Sequence, residues 1–160
     1  TLGRDKDEMA EVLGLTVPAL PVDAPKHLLG IGEVDDLMRG IGLGLDVFDC
    51  AVPTRLARHG MAMAPEPDTR FRIDIRKGRM AGDRRPLVDN CQCTACLDYE
   101  RDYLNYISRS EELTAVRLLV EHNLVYIERL MAGAREAITA GRFGEYGARI
   151  LSGSAPWDAG

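Results

Sequence analysis

Two sets of residues in this 160-residue chain combine types and spacing that could do chemistry. The first lies in "DVFDCAVPTRLARHG", Asp46 to Gly60, where Asp49 closes an apolar run and a proline-broken loop beyond it carries Arg55 and Arg58. An ionised carboxylate followed by forked guanidinium groups suits nucleophilic attack on a carbon of a polyanion, with the arginines holding phosphates near the reacting centre. The plain alternative is an ordinary strand-end acid before a solvated basic segment. The second set is Cys91, Cys93 and Cys96, a C-x-C-x-x-C knuckle that brings three thiols onto one tight turn.

Four cysteines without a secretory signal argue for metal or redox chemistry rather than a disulfide framework. A structural zinc takes four sulfur or nitrogen ligands in a closed tetrahedron, so three thiolates call for one more. The candidates are Cys50, His27, His59 and His122. His122 is preferred, because a predicted helix downstream of the knuckle would hold its ring rigidly. An iron–sulfur cluster would want four cysteines. The surrounding "RPLVDNCQCTACLDYE" has too few apolar residues to pack by itself, so the ion is expected to supply folding energy there. With no open coordination position implied, one structural Zn2+ is expected.

The elements that must position these groups follow from periodicity. "DEMAEVL" reads as a helix ending near Gly14, and the prolines of "VPALPVDAPKH" exclude regular structure before "HLLGIG", a short buried strand breaking at Gly30 and Gly32. "GEVDDLMRGIGLG" reads as a helix with acids in its first turn and "LDVFDCAV" as a second strand. Strand, glycine turn, helix, strand is the rhythm of parallel β/α units. Between Pro53 and Pro86 that rhythm stops, apart from "FRIDIRKG", whose alternation suits a half-exposed hairpin strand. "CLDYERDYLNYISRS" and the long run ending at Gly141 read as helices, and "SGSAPWDAG" as a frayed tail.

The composition, 46% hydrophobic and 28% charged, is that of a globular chain with one ordinary core. No apolar run approaches the roughly 18 residues of a membrane span, and the reading is cytoplasmic. A net charge of −5 conceals an asymmetry. Residues 1–50 carry ten acids and four bases, whereas 53–85 carry nine bases and four acids. Within a Debye length of roughly 8–10 Å a local basic patch outweighs net charge, so a nucleic-acid backbone is not excluded as a partner.

Taken together, "HLLGIGEVDDL", "LDVFDCAVPTRLARHGMA", "CQCTAC" and "RLLVEHNLVYIERLM" closely resemble the C-terminal half of bacterial tRNA-guanine transglycosylases. The resemblance runs from about Leu2 to Phe143. It implies an α/β fold, the C-terminal part of a (β/α)8 TIM barrel with a zinc-binding subdomain, with barrel elements over 1–60, the zinc subdomain and C-terminal helices over 61–150, and a flexible tail at 151–160. It also implies exchange of guanine at the anticodon wobble position of tRNA for a 7-deazaguanine, in queuosine biosynthesis.

By position, the resemblance makes Asp49 the nucleophile that forms a covalent ribosyl-enzyme, and Cys91, Cys93, Cys96 and His122 the zinc ligands. Two segments match the RNA-contacting parts of the family: Gly30, Ile31, Gly32, Glu33, Val34, Asp35 and Asp36, and Thr54, Arg55, Leu56, Ala57 and Arg58. The resemblance implies a homodimer through the helix that is expected to carry Tyr99, Tyr103 and Tyr106 on an exposed face; a core stripe is the plain alternative for these tyrosines. Its general-base aspartate and most guanine-reading residues belong to a segment preceding Thr1, so residues 1–160 alone are expected to hold zinc without exchanging guanine. Gly3 is followed by Arg4, where family members often have glutamate, which leaves the preferred base open. A noncatalytic zinc-binding relative that binds RNA or a partner subunit is the rival reading, and retention of Asp49 with the arginines and ligands argues against it.

Overall fold

A computed structural model describes residues 4–158; Gly3, singled out above, lies outside them. The chain divides into two compact units, Thr1–Val52 and Pro53–Gly160.

The first unit begins with α1, Lys6–Thr16. Asp5 caps it, its carboxylate accepting from the Asp7 and Glu8 amides, and Asp7 and Glu8 add favourable charge to the first turn. Met9 and Leu13 recur on one face and bury with Val17, Leu28 and Leu45. That face, rather than Gly14, sets the length of α1, which continues past the expected end. Strand β1, His27–Leu29, and strand β2, Val47–Asp49, pair in parallel, with His27 opposite Val47 and Leu29 opposite Asp49. Helix α2, Val34–Gly42, is the crossover between them. This is the expected strand–helix–strand order, although both strands are shorter than their apolar runs suggested. Leu28 is buried on the helix side, whereas Leu29 and Val47 are exposed on the other, at 68% and 43%.

Helix α3, Val52–Arg58, begins at the last residue of the first unit and otherwise belongs to the second. The sequence reading placed a proline-broken loop here, but Pro53 falls in the first turn, where a missing N–H costs nothing. Strand β3, Met61–Met63, pairs antiparallel with β4, Arg72–Asp74, so "FRIDIRKG" does supply a hairpin strand. Helices α4, Thr94–Asp98, α5, Arg101–Arg109, α6, Leu113–Thr139, and α7, Phe143–Leu151, follow. Helix α6 stops just before the glycine expected to end it. Its buried Ala115, Leu118 and Leu119 share one core with Ile73, Ile75, Leu87, Leu104 and Ile107.

Helix α7 was not foreseen in the sequence. It packs because Gly133 leaves room for Tyr146: a Cβ at 133 would lie 2.7 Å from the tyrosine ring, whose hydroxyl donates to Leu130 O at 2.8 Å. The tail also differs from the flexible segment expected at 151–160. Up to Asp158 it is packed, with Ala155 buried, Trp157 Nε1 donating to Asp89 O, and the indole edge-on to Tyr126. A single tryptophan gains enough buried area and a hydrogen bond to hold a short tail down. No described helix is long and apolar enough to cross a membrane.

Candidate active site and metal centre

Asp49 ends β2, and Gly30 leaves β1 beside it, the Gly30 amide donating to the Asp49 carbonyl at 2.9 Å. The carboxylate is 60% exposed on the open face of the strand pair, and its Oδ1 lies 2.9 Å from Nε2 of His27. His27, one of four possible metal ligands by sequence, is therefore a partner of the carboxylate.

The segment from Gly30 to Asp36 springs from the same strand ends. Gly30 is exposed, Ile31, Glu33 and Asp35 are half-buried, and Gly32, Val34 and Asp36 are buried. Gly32 is required by close approach, because a Cβ there would fall 1.9 Å from Cys50 Sγ. Lys6 of α1 braces the acids, its Nζ lying 3.0 Å from Glu33, 2.6 Å from Asp35 and 3.2 Å from Asp36. Burial opposes the charge on Lys6, but hydrogen bonds to Asp35 and Glu33 hold its pKa above the ordinary value. Burial, aided by Asp35 and opposed by Lys6, pushes the Asp36 carboxyl up. On α3, Arg55 and Arg58 are exposed, Thr54 and Leu56 half-buried and Ala57 fully buried.

The metal-ligating set comes together in the second unit. Sγ of Cys91, Cys93 and Cys96 lie 3.8, 3.4 and 3.4 Å from Nδ1 of His122, and all four donor atoms are within 4.8 Å of one another. Ligands about 2.0–2.3 Å from a common tetrahedral ion stand roughly 3.6 Å apart, so the spacing fits. Cys50 and His59 are not in this set.

The knuckle geometry is local: the amides of Cys96 and Leu97 both donate to the Cys93 carbonyl, starting α4. Hydrogen bonding by Cys93, then by Cys96, draws the Cys91 thiol down to about 3. Bonding to Cys91 and Cys93, with burial, pushes Cys96 far up. Three adjacent thiols resist full ionisation unless a cation takes the charge.

What surrounds the ligands is as specific as the ligands themselves. His122 is fully buried and its Nε2 meets Met63 O at 2.9 Å, which fixes the tautomer that aims Nδ1 at the thiols. Neighbouring Asn123 accepts from Met63 N at 2.7 Å and donates to Pro53 O and Met61 O. Glu121 receives the Thr94 amide at the start of α4. Arg101 donates to Pro86 O and Leu87 O and pairs with Asp83, whose carboxyl is held well below its usual range, chiefly by hydrogen bonds from Arg85. Sequence reasoning named His122 but missed its neighbours. The available signal was Glu121-His122-Asn123, three consecutive polar residues inside an apolar helix.

These elements define an α/β chain with a carboxylate at a parallel-strand terminus and a closed site of three thiols and one imidazole, apt for a structural metal. The sequence model of the family described as queuine tRNA-ribosyltransferase matches residues 1–155. The chain is 40% identical over 151 residues to a queuine tRNA-ribosyltransferase of Roseiflexus sp. (strain RS-1), an alignment covering 94% of this chain and 38% of the relative. It is 41% identical over 150 residues to one of Agrobacterium fabrum, covering 94% and 39%. It is 38% identical over 160 residues to one of Symbiobacterium thermophilum, covering 100% and 38%. The chain belongs to the queuine tRNA-ribosyltransferase family. It spans about two fifths of the length of these relatives.

Proposed function

We propose that this chain supplies the nucleophile and the metal-braced subdomain of a tRNA-guanine transglycosylase, which exchanges guanine at the anticodon wobble position for a 7-deazaguanine in queuosine biosynthesis. The observation that carries the reading is the exposed Asp49 carboxylate at the C-terminal end of a parallel strand, beside the loop leaving the neighbouring strand, in a chain of this family. Catalytic groups of (β/α)8 barrels stand at such strand ends, and we take β1 and β2 as neighbouring barrel strands.

In this reading a carboxylate oxygen of Asp49 bonds to C1′ of the wobble ribose while the C1′–N bond breaks, its electron pair leaving with guanine. An ionised carboxylate held close meets the oxocarbenium-like centre well. The incoming base then displaces the carboxylate from the opposite face, so two displacements at one carbon retain its configuration. Arg55 and Arg58, exposed on α3, are suited to hold phosphates of the anticodon loop, with Thr54, Leu56 and Ala57 shaping that helix. Gly30 to Asp36 forms a second RNA-contacting segment, in which Gly30 is the exposed member and Val34 and Asp36 serve by packing.

Cys91, Cys93, Cys96 and His122 would hold one zinc with four protein donors, fastening the knuckle to α6 in a structural role. Tyr99 and Tyr103 stack at 5.2 Å, and Tyr103, Tyr106 and Leu97 are exposed, which supports a homodimer contact through this subdomain. The compartment is the cytoplasm. The test is covalent trapping: the full-length enzyme containing this chain, mixed with a tRNA anticodon stem–loop and denatured, should give an RNA–protein adduct. Asp49→Asn should give none while keeping its metal. Adduct formation at the normal rate by that variant would reject the assignment.

A further inference from the structure

The pairing of β1 with β2 sets more than the position of the nucleophile. Side chains alternate across a strand, so the register that places His27 opposite Val47 and Leu29 opposite Asp49 puts all four on one face. On that face His27 and Asp49 are the titratable pair, and Leu29 and Val47 are exposed apolar ground between them. Just before the two strands the backbone amide of Lys26 donates to Asp46 Oδ2 at 2.9 Å, which occupies that carboxylate. The carboxylate and imidazole are left to one another: Nε2 of His27 is 2.9 Å from Oδ1 of Asp49. Among the described residues no other ion pair reaches Asp49.

Resting on the reading of Asp49 as nucleophile, we propose that His27 is its positioning residue, with Nε2 engaging Oδ1 so that Oδ2 is the attacking oxygen. A half-exposed pair of this kind contributes little to stability, so a fold-maintaining role does not account for it. Orientation does. A carboxylate free to rotate must lose that freedom at the moment of attack, whereas one held at a single oxygen already presents the other in a near-attack arrangement. Covering the Leu29–Val47 surface with substrate lowers the local dielectric and strengthens the pair when it is needed. Because the fourth position of the metal set is taken by His122, His27 has no competing duty.

The experiment measures the rate of covalent adduct formation in the full-length enzyme with an anticodon stem–loop, alongside RNA affinity and zinc content. His27→Ala should slow adduct formation about tenfold with affinity and zinc unchanged. His27→Gln, whose amide nitrogen reaches the same oxygen, should recover part of that loss. A wild-type rate in His27→Ala overturns the proposal, as does a Gln variant no faster than Ala. Should the alanine variant fail to fold, His27→Phe takes its place: Gln must exceed Phe, and equal rates overturn the proposal. An Asp49→Asn enzyme that still forms adduct rejects the nucleophile assignment itself. Dependence on Asp49 without dependence on His27 rejects only the role of His27.

Discussion

The carboxylate site and the metal site are built on opposite plans. Asp49 stands more than half exposed at the end of a three-residue strand, with one side chain at ion-pair distance. His122 is fully buried on a 27-residue helix, and both its ring nitrogens are engaged. Around the four donors, backbone groups of Pro53, Met61, Met63, Pro86, Leu87 and Thr94 are met by four side chains, Asn123, His122, Arg101 and Glu121. A group that must meet a substrate stays open and gains precision from few partners. A group that must never open is tied on every side.

The contrast sets the order of expected effects. Asp49→Asn should abolish adduct formation while changing stability by no more than about 0.5 kcal/mol, as surface substitutions do. Matched thermal melts and trapping assays check both, and a large loss of stability would erase the distinction between the two sites. Cys93→Ser, or treatment with a chelator, should do the reverse. Zinc content should fall toward zero, and amides over 86–109 should lose hydrogen-exchange protection, with a cost of several kcal/mol in view of the roughly 10–16 kcal/mol that zinc contributes to small fingers.

Asn123→Ala sharpens the comparison, because it leaves Met63 N and Pro53 O buried without their side-chain partner. It should cost about 2–4 kcal/mol by denaturant melts. Retention of zinc by this variant would separate the clamp on the strand from the hold on the metal. The smallest effect is expected in the open unit. Gly32→Ala drives a methyl into Cys50 and should cost about 1–3 kcal/mol. Cys50→Ala should restore only part of this, because a Cβ at residue 32 would still lie 2.7 Å from Cβ of Cys50.

Much of this was legible in the sequence because the determining signals are local. The C-x-C-x-x-C spacing makes its own turn, and the parallel β/α order follows from apolar runs broken by glycine. Of the four candidates for the fourth donor, the structure brings His122 to the three thiols, on the helix where the sequence placed its ring. What escaped depended on distant partners. Pro53 read as a breaker because a proline in a first turn and a proline in a loop look alike until the following residues are seen to bond. Helix α7 and the packed tail were hidden because their anchors, Tyr146 against Gly133 and Trp157 against Asp89 and Tyr126, span 13 to 68 positions. His27 was read only as a possible ligand, since strand register, not sequence spacing, brings it to Asp49.

One feature of β3 bears on how the chain reaches its final form. His122 and Asn123 take the carbonyl and the amide of the same residue, Met63, at separations of 59 and 60 positions. The other side of β3 faces β4, so the hairpin edge is closed by two adjacent side chains of a helix. The imidazole is thus aimed at the thiols only once α6 has come to lie along the hairpin, a long loop closure that precedes any reward. The three thiols share one local knuckle, whereas the fourth donor lies 26 to 31 positions further along the chain. A metal held by all four donors would therefore report completed tertiary folding, because the fourth is in place only when hairpin and helix have met.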